Sequence, residues 1–309
     1  MRLPTAGLLA GALLLPAGPA HAERAPEWDY CDSRGRGTPD LRIDNCTALI
    51  NSGRESAANR AVAYYNRGSA HWAKGDHDLA IADYSETIKL DPQDASAFAY
   101  RGFGYSMKQD YDRAIADYSE AVRLEPKYAW AYYARGHAYH GKGDFDRAIA
   151  DYSEALGLDP KFAWAYYCRA RGYHANGDLD RAIADYSEAV RLEPKYAQAF
   201  AYRGFVYKTK RDYDRAIIDF TEAIRLDPKY TRAFIARGWV YYMKRDYDRA
   251  VADYSEAIKL APREAGAYFG RALAHLYAGA LAQSLADFYQ ASELYLDEAH
   301  RALENLRRA

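Results

Sequence analysis

The sequence lacks the features that would indicate an enzyme with a known motif, a membrane protein or a nucleic-acid-binding protein. It contains no glycine-rich phosphate loop and no H-E-x-x-H motif. No apolar run reaches the roughly 20 residues that a membrane span needs. Its 42 Lys and Arg residues nearly balance 43 Asp and Glu residues, and it has neither a basic block nor an acidic tail. We therefore expect no nucleic-acid binding and no membrane insertion.

The first 22 residues have the pattern of a cleavable signal peptide. Arg2 supplies a positive charge, Leu8 to Leu15 form a short apolar core, and Ala20-His21-Ala22 fits a small-x-small cleavage site. No cysteine follows closely enough for lipid attachment. The pattern predicts a protein cut after Ala22 that is periplasmic or secreted.

The chain has only three cysteines. Cys31 and Cys46 lie close together, and export to an oxidising compartment favours a disulfide between them. Two unpaired thiols are the alternative. Cys168 stands alone at a position where related segments carry Tyr or Ala, so we interpret it as a small packed thiol and not as a nucleophile.

A 34-residue phrase recurs seven times without a gap, from residue 61 to residue 298. Each copy is predicted to form two helices: in the second copy, Asp110 is placed to cap the second helix and Pro126 to end it. A unit of this size cannot bury its own apolar face, so its neighbours must cover it. Further Asp residues recur at the capping position: Asp76, Asp144, Asp178, Asp212 and Asp246.

The repeated phrase resembles the tetratricopeptide repeat. Its spacing is aromatic-x-x-x-Gly-x-x-Tyr, then Ala, an aromatic residue, Ala and Pro. Only the last copy departs from it: Ala280 replaces the capping Asp, Ser284 replaces the small Ala and Leu296 replaces the Pro. The resemblance implies an all-α fold, a right-handed α-solenoid (superhelix) of tandem helix-turn-helix units. It divides the chain into a signal peptide (1–22), an N-terminal capping segment with a half-repeat helix (23–60), seven repeats (61–298) and a C-terminal solvating helix (299–309).

An Arg occupies the seventh position of every repeat, where the family typically has an apolar residue, and an Asp recurs in every second helix. We predict a ladder of partly buried Arg–Asp pairs, within or between repeats. An anion-binding strip of arginines is the alternative. The residues are Arg67, Arg101, Arg135, Arg169, Arg203, Arg237 and Arg271, with Asp83, Asp117, Asp151, Asp185, Asp219, Asp253 and Asp287.

The resemblance also implies that the second, fifth, ninth, twelfth and thirteenth residues of each repeat line a concave groove. Aromatic and Arg side chains are frequent anchors of binding surfaces, and they are concentrated at these positions. The alternative is that these rings pack against neighbouring first helices. The predicted groove residues are Tyr65, Trp72, Phe103, Trp130, Tyr133, His137, His140, Trp164, Tyr167, Arg171, His174, Phe205, Trp239, Tyr242 and Phe269.

The groove composition suggests what binds there. The Lys and Asn residues with which some members of the family hold a C-terminal carboxylate are missing, so we expect an apolar or aromatic-rich ligand and not an acidic tail. His137, His140 and His174 gather at the middle of the groove. We interpret them as polar lining or a pH-sensitive contact and predict no metal site and no cofactor.

These features predict a scaffold and not an enzyme. A serine recurs two residues after the second-helix Asp in most repeats. An active site needs only one such serine, so its repetition indicates a structural role. The predicted function is an exported scaffold that binds a peptide or protein segment of unknown identity in its groove. The alternatives are an accessory or regulatory subunit of a cell-envelope enzyme complex, or a self-assembling protein, so a homo-oligomer is left open.

Overall fold

The computed structural model describes residues 25–32 and 37–308, with side chains described as far as Leu296. These residues form sixteen helices and no strand, which confirms the predicted all-α fold of tandem helix pairs. No helix within these ranges combines the length and apolar character needed to cross a bilayer. The predicted signal peptide, residues 1–22, lies outside the described residues.

The chain divides into two compact units between Pro92 and Gln93. In the first unit, α2 (Pro39–Asn51) packs against α3 (Ala57–Lys74). The two helices of the first repeat are α3 and α4 (His77–Leu90). The side chain of Thr38 accepts a hydrogen bond from the Leu41 amide at the start of α2. The helices are α1 (Trp28–Cys31), α2 (Pro39–Asn51), α3 (Ala57–Lys74) and α4 (His77–Leu90).

A disulfide joins Cys31 to Cys46 in the first unit, as predicted. Both cysteines are buried in a cluster with Trp28 and Leu49, so the bridge holds the short helix α1 against α2. The remaining cysteine, Cys168, is free and buried. Burial raises the pKa of its thiol to about 11, which opposes formation of a reactive thiolate.

The second unit consists of six helical hairpins in tandem, one for each of the second to seventh repeats. Within each hairpin the two helices pack against each other, and each hairpin packs against the next. The helices are α5 (Ala95–Met107), α6 (Tyr111–Leu124), α7 (Ala129–Gly141), α8 (Phe145–Leu158), α9 (Ala163–Ala175), α10 (Leu179–Leu192), α11 (Ala197–Thr209), α12 (Tyr213–Leu226), α13 (Thr231–Met243), α14 (Tyr247–Leu260), α15 (Ala265–Tyr277) and α16 (Leu281–Arg308).

The C-terminal end differs from the expected domain division. The solvating helix expected at 299–309 is not a separate element, because α16 runs without a break for 28 residues to Arg308. Leu296 explains this difference. It stands where the earlier repeats have the proline that ends the second helix, and leucine places no such limit on a helix.

Aspartates cap the second helices of the second unit, as the sequence predicts. Asp110 accepts a hydrogen bond from the Arg113 amide, and the same bond forms at the four equivalent hairpin turns from Asp144 to Asp246. Asp76 in the first unit differs, since its side chain makes no capping bond to α4. These caps set the point at which each second helix begins.

The predicted Arg–Asp ladder is confirmed in every repeat. Arg135 Nε donates to Asp151 Oδ2 at 2.8 Å and Arg135 Nη2 donates to Asp151 Oδ1 at 2.7 Å, and the other six pairs share this two-bond geometry. The aspartates are buried. Because each guanidinium is committed to a carboxylate, the alternative of an anion-binding strip is not supported.

The same arginines also link one repeat to the one before it. Arg169 Nη1 donates to Ser153 Oγ of the preceding hairpin at 3.0 Å, and four other repeats of the second unit repeat this bond to Ser or Thr. In the first unit, Arg67 Nη1 donates to Thr47 of α2 in the same way, at 3.0 Å. The recurring hydroxyl is therefore a structural acceptor, and α2 supplies it for the first repeat.

Candidate binding surface on the first helices

The predicted groove residues of the second unit lie on its first helices. Successive first helices contact each other from α5 to α9 and from α11 to α15, so their outer residues share one side of these hairpins. We call this side the first-helix surface, defined by the second, fifth, ninth and twelfth residues of repeats two to seven. Tyr65 and Trp72 belong to the first unit, where they contact Tyr84 and His77 respectively.

The rings on α7 and α9 pack against the protein itself. Trp164 lies 4.7 Å from the ring of Tyr196, and Tyr133 lies 4.8 Å from the ring of Phe162. Trp130 similarly contacts Tyr100, Phe103, Tyr118 and Tyr128. Only the contacts of Trp130 with Tyr100 and Phe103 are with a neighbouring first helix, the alternative that the sequence left open, and all three rings remain partly exposed.

Tyr167 corrects the sequence-based assignment. It is only 3% exposed, with its ring 4.9 Å from Tyr196 and 5.6 Å from Tyr202. Tyr196, the last residue of the fourth repeat, explains this burial, because its ring contacts the rings of both Trp164 and Tyr167. Tyr167 is therefore a core residue and not an accessible anchor.

Arg171 and the histidines form the polar part of this region. The Arg171 guanidinium lies 5.9 Å from the rings of both Tyr167 and Tyr202. Burial and the nearby Arg171 charge lower the pKa of His137, and the same two causes lower that of His140 to about 4. Burial also lowers the pKa of His174. At neutral pH these imidazoles are uncharged, which leaves Arg171 as the cation.

No three His, Cys, Asp or Glu side chains come together as a metal site within the residues that the structure describes.

Several buried tyrosines near Arg171 carry hydroxyls without a partner. Tyr186 OH has no hydrogen-bond partner, and the sister residue in the next repeat is Phe220. We therefore expect Tyr186→Phe to raise the free energy of unfolding by about 1 kcal/mol, since it removes an unpaired buried hydroxyl and keeps the ring. Chemical denaturation monitored by circular dichroism measures the change.

Tyr84→Phe is the matched control, because Tyr84 occupies the same repeat position but bonds to Ser69 at 3.2 Å. That substitution should lower the stability by about 1 kcal/mol. A loss of stability in both variants would contradict the prediction for Tyr186.

The first-helix surface opens into a cavity of about 470 Å³ on α11, α13 and α15. The predicted residues Phe205, Trp239, Tyr242 and Phe269 line it, and Tyr254 of α14 also reaches it. The sequence-based prediction did not include several non-aromatic residues that line the cavity, although most of them occupy the same repeat positions. They include Lys208, Arg232, Ile235, Gly266, Gly270 and Leu273.

A small residue in the last repeat leaves room for the cavity. The second repeat position holds Trp130 and Trp164 in the third and fourth repeats but Gly266 in the seventh. Gly270 acts differently, because a Cβ atom there would lie 2.4 Å from Cζ of Tyr254, so its lack of a side chain lets that buried ring pack closely against α15.

Two cations border the cavity and contact its aromatic walls. Lys208 Nζ lies 4.6 Å from the ring of Trp239, and the Arg232 guanidinium lies 5.9 Å from that of Phe205. Burial lowers the pKa of Lys208. Among the described lining residues, the one carboxylate is that of Glu264. The cavity is thus apolar and aromatic inside with an excess of positive charge at its edge.

Sequence models of the tetratricopeptide repeat match residues 61–94, 197–230 and 231–264, and a further TPR repeat model matches residues 105–143, 136–177 and 170–210. Together they cover more than half of the chain. The comparison with curated proteins finds no match.

Solved structures with a similar fold are TPR proteins. A MamA protein is 28% identical over 56% of this chain and 94% of its own, with a TM-score of 0.51. YrrB, a TPR protein with an unusual peptide-binding site, is 22% identical over 62% of this chain and 96% of its own, with a TM-score of 0.53. A tetratricopeptide repeat protein from Parabacteroides merdae is 16% identical over 80% and 95%, with a TM-score of 0.57.

Proteins of this fold are typically scaffolds without catalytic activity, and the fold implies protein–protein interaction. The repeat spacing, the helical hairpins and the matches to the repeat models agree over residues 61–94 and 105–264. The chain belongs to the tetratricopeptide repeat family.

Proposed function

We propose that the protein binds a peptide or protein segment on the first-helix surface of its second unit, with an anchor side chain in the cavity of α11, α13 and α15. The observation that carries this proposal is the cavity itself. Its volume of about 470 Å³ falls within the range of small ligand pockets, and its walls are aromatic and aliphatic. A large apolar side chain of the partner matches this space.

The charges of the surface favour a partner that also carries carboxylates. Arg171, Lys208 and Arg232 lie on it, and the positions that define it hold no Asp or Glu in repeats two to seven. Cations beside aromatic rings favour an acidic group next to an apolar one in the bound segment. This departs from the sequence-based expectation of an apolar or aromatic-rich ligand and not an acidic tail.

We further propose that the protein acts outside the cytoplasm. The signal-peptide pattern of residues 1–22 supports export, and the Cys31–Cys46 disulfide is a bond that persists in oxidising compartments.

Peptide selection from a random display library on the immobilised protein tests the binding site. We expect the selected peptides to combine an aromatic or large aliphatic residue with neighbouring Asp or Glu. Trp239→Ala should weaken their binding by at least about 10-fold, since it removes one wall of the cavity. Fluorescence polarisation with a labelled selected peptide measures the affinity, which should also fall as salt rises.

Ile218→Ala is the control, because Ile218 is 66% exposed on α12 and does not line the cavity. This variant should bind like the wild type. Equal affinities for the wild type and Trp239→Ala would show that the cavity is not the binding site. A Trp130→Ala/Trp164→Ala variant is less suitable, since those rings pack against the protein itself.

A further inference from the structure

The last helix exposes an apolar stripe. Leu281, Leu285 and Tyr289 are spaced four residues apart on α16 and are 65%, 57% and 65% exposed. Leu296, 60% exposed, continues the same face two turns later. None of the four lines the cavity proposed for peptide binding.

The equivalent face is covered in an internal repeat. Leu179, Ile183 and Ser187 of α10 correspond to Leu281, Leu285 and Tyr289 of α16. Leu179 and Ile183 pack against a buried cluster that includes Ala199 and Val206 of the following repeat, and Ser187 accepts a hydrogen bond from Arg203. The face of α16 therefore corresponds to a repeat-stacking face, and among the described residues no hairpin covers it.

The surface around this stripe carries few charges. Asp180 of α10 pairs with Lys210 of the next repeat, and Ala282 takes its place in α16. In residues 278–292 one charged side chain remains, that of Asp287, and it bonds to Arg271; the next, Glu293, is an exposed carboxylate at the border of the stripe. A solenoid face that no repeat covers is normally polar, so an apolar one with few charges indicates an interface.

We propose that this face of α16 binds the same face of a second copy of the chain, giving a two-fold symmetric dimer. An antiparallel two-fold contact centred on Leu281 to Tyr289 buries both stripes, and the only charged residue in that stretch, Asp287, is already paired with Arg271. Exposed tyrosine at the centre of the stripe fits the composition of protein interfaces.

Head-to-tail stacking of two copies does not fit the residues. The junctions within the second unit use an Arg that donates to a Ser or Thr of the preceding hairpin, but the last repeat carries Tyr289 at that place. In the first unit, the corresponding donor Arg67 already bonds to Thr47 of α2. The last repeat therefore lacks the Ser or Thr acceptor, and the Arg donor of the first repeat is already bonded. Head-to-tail stacking cannot form this hydrogen bond, so we favour the two-fold symmetric dimer.

Light scattering after size exclusion tests the dimer with the full chain. We expect the wild type to have twice its chain mass of 34.9 kDa. Leu285→Lys/Tyr289→Lys should weaken the dimer by at least about 100-fold and elute as a monomer, because both copies would bury two cations. Its helix content by circular dichroism should stay unchanged, since both side chains are exposed. Ile218→Lys, at an equally exposed site on α12, should remain dimeric.

Three results would overturn the proposal. One is a wild type that stays monomeric up to about 100 µM, well above the dissociation constants of stable dimers. The second is a dimer that persists in Leu285→Lys/Tyr289→Lys. The third is a mass that grows beyond two chains with concentration, as head-to-tail assembly requires. Peptide binding by Trp239→Ala is measured independently, so either proposal can fail alone.

Discussion

Replacing Asp151 with alanine is expected to lower the free energy of unfolding by about 3–5 kcal/mol. The variant leaves the Arg135 guanidinium half-buried without the carboxylate that accepts from its Nε and Nη2 atoms. Ser119 would remain as its hydrogen-bond partner, and a neutral hydroxyl does not compensate the charge. Urea denaturation followed by circular dichroism measures the loss.

The control is Asp112→Ala. Asp112 pairs with Lys142, but its side chain is 82% exposed, so its loss should change stability by less than about 1 kcal/mol. The double variant Arg135→Met/Asp151→Leu should recover part of the loss, because it removes both charges together. If Asp151→Ala were as mild as Asp112→Ala, the ladder would not be a stabilising element.

Removing the disulfide with Cys31→Ala/Cys46→Ala should destabilise the first unit by about 3 kcal/mol, because the bridge closes a loop with a sequence separation of 15 and limits the unfolded chain. We expect α1 and α2 to lose hydrogen-exchange protection first, since the bridge joins α1 directly to α2. Hydrogen exchange with mass spectrometry resolves this region from the second unit.

Reducing agent supplies an independent check of the same bond. Wild type treated with dithiothreitol should match the double variant, whereas Cys168→Ala should keep the protection of α1 and α2 because Cys168 is a free thiol in the other unit. Unchanged exchange of α2 after reduction would show that the bridge does not hold this unit together.

The candidate site was predictable in its positions but not in its accessibility. Phe205, Trp239 and Tyr242 were predicted from their repeat positions and do line the cavity, whereas Tyr167 was predicted on the same grounds and is buried. A ring is open or covered depending on the size of the residues packed beside it. Tyr196 covers Tyr167, while Gly266 leaves room beside Trp239.

Lys208 and Arg232 show a second limit of prediction from the sequence. They occupy groove positions but were passed over, because their contribution depends on the aromatic walls that they contact. Their sequence positions alone do not distinguish a groove cation from a solvated one. Their distances to Trp239 and Phe205 make that distinction, and with it the expectation of an acidic partner segment.

The amino-acid sequence by itself determined the helix pairs, the tandem architecture, the disulfide and the Arg–Asp ladder. The repeat features depend on contacts within one repeat or on a spacing that is copied seven times, and the disulfide joins two cysteines only 15 residues apart, so local pattern is sufficient. The tertiary structure alone decided where the first-helix surface is open, that α16 continues to Arg308, and that its apolar stripe is uncovered. These features depend on how side chains of adjacent repeats fill the space between them, and a repeating pattern does not encode the departures from it.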